Sequence, residues 1–316
     1  MKSHLKFIFK LLILISFNVF FSCTTFVDGI ADNYMNSDIE YFEYNDLKIR
    51  YSDTGSGTPI IFLHGLGASS FTWRYLYKYY SLEYRVISLD LKGFGDSSKP
   101  NDNDYRISDQ AKIIQKFINE KNLSNVTLIG NSYGGSVALS TFANADTKTK
   151  GKISNMILID PAAYRQEKMP GYISLLQTPL INKLTLYISP KNLIAKIILK
   201  LIFYNDSLIT DEMVLTYGNL LKDGEAHNAL IQTAIGVSDK ETSDISSLYK
   251  QINIPVLIIW GNNDKIIEKN DGIKLNNDLP KSELVILDDC GHIPQEEQPE
   301  ITINVINNFL ESSSTF

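Results

Sequence analysis

The chain has 316 residues, 44% of them hydrophobic and 21% charged, a balance that suits a globular protein with a sizeable core and excludes disordered and fibrous classes. A formal net charge of −6 supplies no basic face to neutralise phosphates, which excludes a nucleic-acid binder. At about 150 residues per domain, the length fits one large domain or a core carrying an insertion.

Residues 1–22 differ from the rest. Lys2, Lys6 and Lys10 give a positive start, and Leu11 to Phe21 form a mostly apolar run about as long as the hydrophobic part of a signal peptide. The run ends at Ser22-Cys23, which resembles a bacterial lipoprotein signal in which the cysteine is lipidated and becomes the mature N-terminus. An uncleaved anchor and cleavage without a lipid are the alternatives. On this reading residues 1–22 are a signal peptide and 23–38 a linker, and the protein is exported to the cell envelope and held at a membrane through Cys23. Cys290 is then left without an intrachain partner, because the chain has only two cysteines.

From residue 39 short β-rich runs alternate with helical periods. Tyr41 to Tyr51 alternates apolar and polar residues around Asn45-Asp46, predicting an antiparallel hairpin on a half-exposed edge. Pro59 to Leu63 is a continuous apolar run of the kind buried on both faces of a parallel sheet. Helical spacing follows over 71–80, then a strand over 85–89 and a helix over 108–122 with Ser108 as its N-cap. Strand 126–129, helix 133–143 and strand 156–159 repeat the order. Strand 256–260, a helix over 266–277, strand 284–287 and a last helix over 300–310 complete it. Such alternation implies a mostly parallel sheet with helices on both faces and a site at the carboxyl ends of its strands. Residues 161–250 break the pattern with helical periods punctuated by Pro161, Pro170, Pro179 and Pro190, and predict an inserted helical cap between core segments 39–160 and 251–316.

The chemistry gathers at strand ends. Gly130-Asn131-Ser132-Tyr133-Gly134 follows a strand and opens a helix, as a nucleophile elbow requires. A strained turn exposes the Ser132 hydroxyl and brings backbone so close that side chains at Gly130 and Gly134 would clash. Serine needs a base, and the chain has four histidines. His4 lies in the signal, His64 directly follows a buried strand well before the elbow, and His227 lies in the cap, with a solvated or locally bonded role. His292, in the loop after strand 284–287, is the candidate. The orienting acid belongs between nucleophile and base in chain order, and Asp264, just past strand 256–260, is placed to accept the imidazole N–H. Asp160, at the end of the preceding strand, is its competitor, whereas Asp288 and Asp289 suit the turn itself.

With these residues in place the chain resembles a capped, esterase-like α/β-hydrolase, whose sheet has eight strands. His64-Gly65-Leu66-Gly67 is similar to that family's oxyanion loop, and Asp90 to Ser97 to its loop after the next strand. Gly130 to Gly135 match its elbow, and Trp260 to Asp264 and Gly291 to Pro299 its acid and base segments. The resemblance spans about residues 40–312 and implies an oxyanion hole from the backbone N–H groups of Leu66 and Tyr133. Gly65 belongs to that loop, Gly67 allows its tight course, and His64 stabilises it without transferring protons. Gly93 to Ser97 reads as a structural turn.

The expected activity is hydrolysis of a carboxylic ester, carboxylesterase- or lipase-like, through an acyl-enzyme on Ser132. Carbon–carbon bond hydrolysis, amidase and acyltransferase chemistry stay open on the same triad, and a non-catalytic surface binding lipoprotein is the alternative of another class. The expected partner is a small-molecule ester. Leu193 to Phe203, apolar with two lysines, predicts a cap helix that buries one face on the core, or one that lines an acyl pocket or touches lipid and so favours lipophilic esters. No cofactor is expected, since glycine-rich phosphate loops are missing. No metal is expected either: Asn101 to Asp104 lacks the glycine and distal glutamate of a calcium loop.

Overall fold

The computed structural model describes residues 39–102, 104–164, 190–237 and 245–313. The expected signal segment and linker with Cys23, together with 165–189 and 238–244 of the expected cap, lie outside the described residues.

Eight strands form one sheet: β1 (Ile39–Tyr44), β2 (Leu47–Thr54), β3 (Pro59–Leu63), β4 (Arg85–Leu89), β5 (Val126–Asn131), β6 (Ile153–Ile159), β7 (Val256–Gly261) and β8 (Ser282–Leu287). Their order is β1-β2-β4-β3-β5-β6-β7-β8. From β4 to β8 every pairing is parallel, while β2 runs antiparallel to both β1 and β4. The eight-stranded, mostly parallel α/β architecture expected from the sequence is thus present.

The strands follow from composition. β3, β5 and β7 are short runs of β-branched and aliphatic residues, and every residue in them is buried, as a sheet covered on both faces demands. Each such Ile, Leu or Val contributes about 1.5–3 kcal/mol through burial. The N-terminal hairpin turns at Asn45, whose φ of 53° suits asparagine. The hairpin is antiparallel and lies at the sheet edge as expected, with β1 outermost and largely exposed, while Ile49 to Ser52 of β2 are buried between β1 and β4.

Helix α1 (Arg74–Tyr80) follows a 3₁₀ turn over Ser70–Trp73. Helix α2 (Ile107–Glu120) begins before the predicted Ser108 cap. Ser108 lies in its first turn, and the Asp109 carboxylate accepts the Arg106 N–H at 3.3 Å instead. Its Phe117 ring meets Phe42 and Tyr51 edge-on at 5.2 and 5.0 Å, fixing α2 on the sheet. Helix α3 (Tyr133–Ala143) is buried along almost its whole length.

Between β6 and β7 the described residues hold α4 (Lys191–Ile202), α5 (Asp211–Asn219) and α6 (Gly224–Val237). Helix α4 buries Ala195 and Leu199 and exposes Leu193 and Ile197. Leu199, Phe203 and Met213 pack with Phe71 and Ile293 in a small separate core, so this segment rests directly on the residue after His292. Helices α7 (Lys269–Asp278) and α8 (Pro299–Ser313) complete the fold. α7 starts later than residue 266 because the Ile266 and Ile267 N–H groups turn to the Asp264 carboxylate before a helix can begin. No helix among the described residues is long and apolar enough to cross a membrane.

Candidate active site

Parallel pairing brings the ends of β3, β5, β6, β7 and β8 to one edge of the sheet, and each delivers one component. β5 ends at Asn131, and Ser132 sits on the turn into α3 with φ 53° and ψ −117°, a conformation costing about 1–3 kcal/mol. The surroundings hold it there: the Ser132 N–H donates to the Ile159 carbonyl at 2.9 Å, and its own carbonyl accepts from Gly135, Ser136 and Ala162. The glycine requirement is steric. A Cβ on Gly130 would lie 2.4 Å from the Gly134 carbonyl oxygen, and one on Gly134 would lie 2.1 Å from that of Leu63.

The fold brings His292 and Asp264 into contact. His292 Nδ1 lies 2.7 Å from Asp264 Oδ2, and both side chains are almost entirely buried. Asp264 Oδ1 accepts the N–H groups of Ile266 and Ile267 at 2.7 and 3.2 Å, so the loop itself aims the carboxylate. Asp160 adjoins this pair: one ligand atom from each of Asp160, Asp264 and His292 lies within 4.8 Å of the others. The trio has the residue types of a metal site, but a 2.7 Å hydrogen bond between His292 and Asp264 leaves no room for an ion between them. The Asp102 carboxylate is likewise taken, by Lys92 Nζ at 2.8 Å.

The loop after β3 lies against the elbow. A Cβ on Gly65 would reach Ser132 Cβ at 3.4 Å and Asn131 Oδ1 at 3.2 Å. Gly67 has φ 71°, and a Cβ there would touch Leu230 of α6. Leu66 is half-buried, and Tyr133 is buried at the start of α3, with its hydroxyl donating to the Tyr105 carbonyl at 3.3 Å. His64 is fully buried: its Nε2 accepts the Leu91 N–H at 2.9 Å, so Nδ1 carries the hydrogen donated to the Gly65 carbonyl. Burial pushes its imidazole below the usual range against the opposing pull of Asp90, which suits a neutral brace of the loop. The Asp90 carboxylate accepts the N–H groups of Ser70 and Asp96, and the turn beyond it uses positive φ at Gly93 and Gly95. His227 reaches the Leu221 carbonyl at 3.1 Å.

Several residues that the sequence did not single out hold the site together. Asn131 Nδ2 donates to the carbonyls of Ile159 and His292, both at 3.1 Å. The Glu297 carboxylate accepts the N–H groups of Gly291, Tyr204 and Asn205, and the His292 N–H donates to the Ile202 carbonyl at 2.7 Å. The loop carrying His292 is therefore bonded to the end of α4. Beside it Glu296 pairs with Arg74 at 2.6 Å and accepts from Thr72 and Tyr217. The motif containing Glu297 was visible in the sequence, but its backbone partners, about 90 residues away, were not. Cys290 is buried without a disulfide, and burial with nearby Glu297 and Asp160 pushes its thiol up.

The model of the alpha/beta hydrolase fold family matches residues 58–299, and the chain belongs to that family. It is a hydrolase by fold and by its relatives. An uncharacterized hydrolase, YugF, of Bacillus subtilis (strain 168) is 28% identical over 264 residues, covering 83% of this chain and 92% of its own. Lipase 3 of Moraxella sp. (strain TA144) is 26% identical over 305 residues, 92% of this chain and 93% of its own. A 2-hydroxy-6-oxononadienedioate/2-hydroxy-6-oxononatrienedioate hydrolase of Escherichia coli (strain K12) is 27% identical, covering 84% and 91%. Among solved structures, a bacterial membrane phospholipase A shares the fold with a TM-score of 0.73 at 22% identity, covering the whole of both chains. A thermophilic esterase of Thermogutta terrifontis shares it with a TM-score of 0.72 at 22% identity, covering 87% of this chain and 97% of the other.

Proposed function

We propose that the protein hydrolyses carboxylic esters through an acyl-enzyme on Ser132. The observation that carries this reading is the 2.7 Å Asp264–His292 pair, held at the same sheet edge as the strained serine turn. Ser132 Oγ attacks the ester carbonyl carbon and passes its proton to His292 Nε2, the nitrogen left open by the Asp264 bond. The tetrahedral intermediate places negative charge on the former carbonyl oxygen, which the N–H groups of Leu66 and Tyr133 receive. Tyr133 opens α3, so its N–H also lies at the positive end of the helix dipole. The intermediate breaks its bond to the alcohol, which leaves with the proton from His292. Water, deprotonated by the same imidazole, then releases the acid and restores Ser132.

In this reading the segment 161–250 is a cap that selects the substrate, and the apolar residues of α4 favour lipophilic acyl groups. Residues 1–22 export the chain and a lipid on Cys23 anchors it at the cell envelope. The experiment is turnover of p-nitrophenyl esters from two to twelve carbons by wild type and Ser132→Ala. Loss of about 10³-fold or more in the variant supports the reading, and undiminished turnover in a folded variant rejects it. A peak at two carbons would remove the lipophilic preference. Incorporation of radiolabelled palmitate that survives Cys23→Ala would remove the anchor.

The similarity to the Escherichia coli hydrolase favours a second reading, cleavage of a carbon–carbon bond beside a ketone on the same residues. Turnover of a vinylogous 1,5-diketone at a kcat/KM above that of every ester would establish it in place of the first.

A further inference from the structure

Asp160 directly follows β6, the strand between those that deliver Ser132 and Asp264. It is fully buried and adopts φ 44°, a left-handed conformation tolerated by the short side chain of aspartate. One carboxyl oxygen is accounted for: Oδ1 accepts the Gly261 N–H at 2.9 Å. The other, Oδ2, is equally buried and accepts no hydrogen bond, which for an ionised oxygen is a heavy desolvation penalty. One ligand atom of Asp160 lies within 4.8 Å of one each from Asp264 and His292, and the carboxyl groups of Asp160 and Asp264 are within hydrogen-bond reach of each other.

An ionised Asp160 would put a second buried anion against the Asp264 carboxylate with no donor for Oδ2. A proton on Oδ2 removes both problems, since the oxygen becomes a donor and the neighbouring carboxylate is an acceptor. We propose that Asp160 is a positioning residue that carries a proton at neutral pH and donates it from Oδ2 to the Asp264 carboxylate, fixing the acid that orients His292. Burial, followed by the charge of Asp264, holds the Asp160 carboxyl well above the usual carboxylate range, and Glu297 pushes the same way. The groups bearing on it are Asp264 and His292, with Glu297 and the thiol of Cys290 from the base loop.

The inference rests on the triad reading for its catalytic consequence, but the protonation state is measurable without any substrate. Unfolded Asp160 ionises near pH 3.8 and the folded carboxyl does so at higher pH. Its contribution to stability is therefore complete below about pH 3.8 and is lost progressively as pH rises from there to the folded value. In the full-length protein, Asp160→Asn replaces the protonated oxygen by an amide donor that never ionises. Its unfolding midpoint is expected to rise relative to wild type between about pH 4 and about pH 8. A gap that stays constant or moves the other way overturns the proposal.

The second arm is the pH profile of kcat/KM on an ester. Asp160→Asn keeps the donor and is expected to hold activity within about twofold, with the acid limb unmoved. Asp160→Ala removes the donor, leaves Asp264 to bind the imidazolium more strongly, lowers kcat at least about tenfold and moves the acid limb to higher pH. An acid limb that falls in the asparagine variant would mean that a negative charge had been lost, and would contradict a neutral Asp160. Identical alanine and asparagine profiles would show that the proton positions nothing. If alanine prevents folding, the asparagine comparison still decides. Activity surviving Ser132→Ala rejects the triad but leaves the stability arm standing.

Discussion

The side-chain amide of Asn131, the residue before the elbow serine, donates to the main-chain carbonyl of His292 at 3.1 Å. The same nitrogen donates to the Ile159 carbonyl at the end of β6. One side chain thus joins the turn carrying Ser132, the neighbouring strand and the loop carrying His292, and fixes the spacing between them.

Replacing Asn131 by alanine leaves two buried carbonyls without this donor. The expected result is a loss of about 1–3 kcal/mol in stability and a fall of about tenfold or more in kcat with a smaller change in KM, because a displaced base acts only in the transition state. Chemical unfolding and steady-state kinetics on one ester check both. Unchanged kcat in a destabilised variant would show that the amide serves the fold alone.

Glu297 gives a parallel test in the loop carrying His292. Its carboxylate receives three N–H groups, two of them from the chain leaving α4. Glu297→Gln turns an amide donor toward these donors and removes the charge, at a cost of about 1.5–3 kcal/mol. The variant is expected to unfold earlier and to lose kcat by about 10- to 100-fold, as the His292 loop loosens. Hydrogen exchange at Gly291, Tyr204 and Asn205 should rise together, and protection retained at all three would contradict the clamp.

The buried Arg74–Glu296 pair makes a prediction about stability alone. Glu296→Ala strands a buried guanidinium and removes the acceptor of Thr72 and Tyr217, so a loss of about 3–5 kcal/mol is expected. Arg74→Met with Glu296→Gln, which removes both charges, should recover most of it. A single variant as stable as wild type would contradict the assignment.

His64 fixes the sign of one pH effect. Its folded imidazole titrates below the ordinary 6.5, so the unfolded state binds the extra proton on acidification and stability falls below pH 6.5. The contribution is about 1.4 kcal/mol per pH unit until the folded group itself titrates. The imidazole signal of His64 is expected to show its transition below the ordinary 6.5, and a transition at 6.5 or above would show that the ring is not a neutral brace.

Much of the fold is legible in local pattern. Apolar runs such as Pro59 to Leu63 are too short for helices and too continuous for exposed strands, so periodicity identifies buried parallel strands. Ser132 is legible because a strained turn demands glycines at fixed spacing, and Asp264 and His292 because they stand at strand ends in chain order. Long-range hydrogen bonds escape such reading. Nothing near Ser108 signals that α2 starts at Ile107 with Asp109 accepting the Arg106 N–H, and nothing near Glu297 signals Tyr204. Asp160 was visible only as a rival acid, since its relation to Asp264 depends on β6 and β7 lying side by side.

Treatment of the protein with a fluorophosphonate, followed by mapping of the adduct, tests for an activated Ser132 without knowledge of the substrate. A single adduct on Ser132, lost in a folded His292→Ala variant, is the predicted result. No adduct in folded wild type, or labelling of Ser132 that persists without His292, would contradict it.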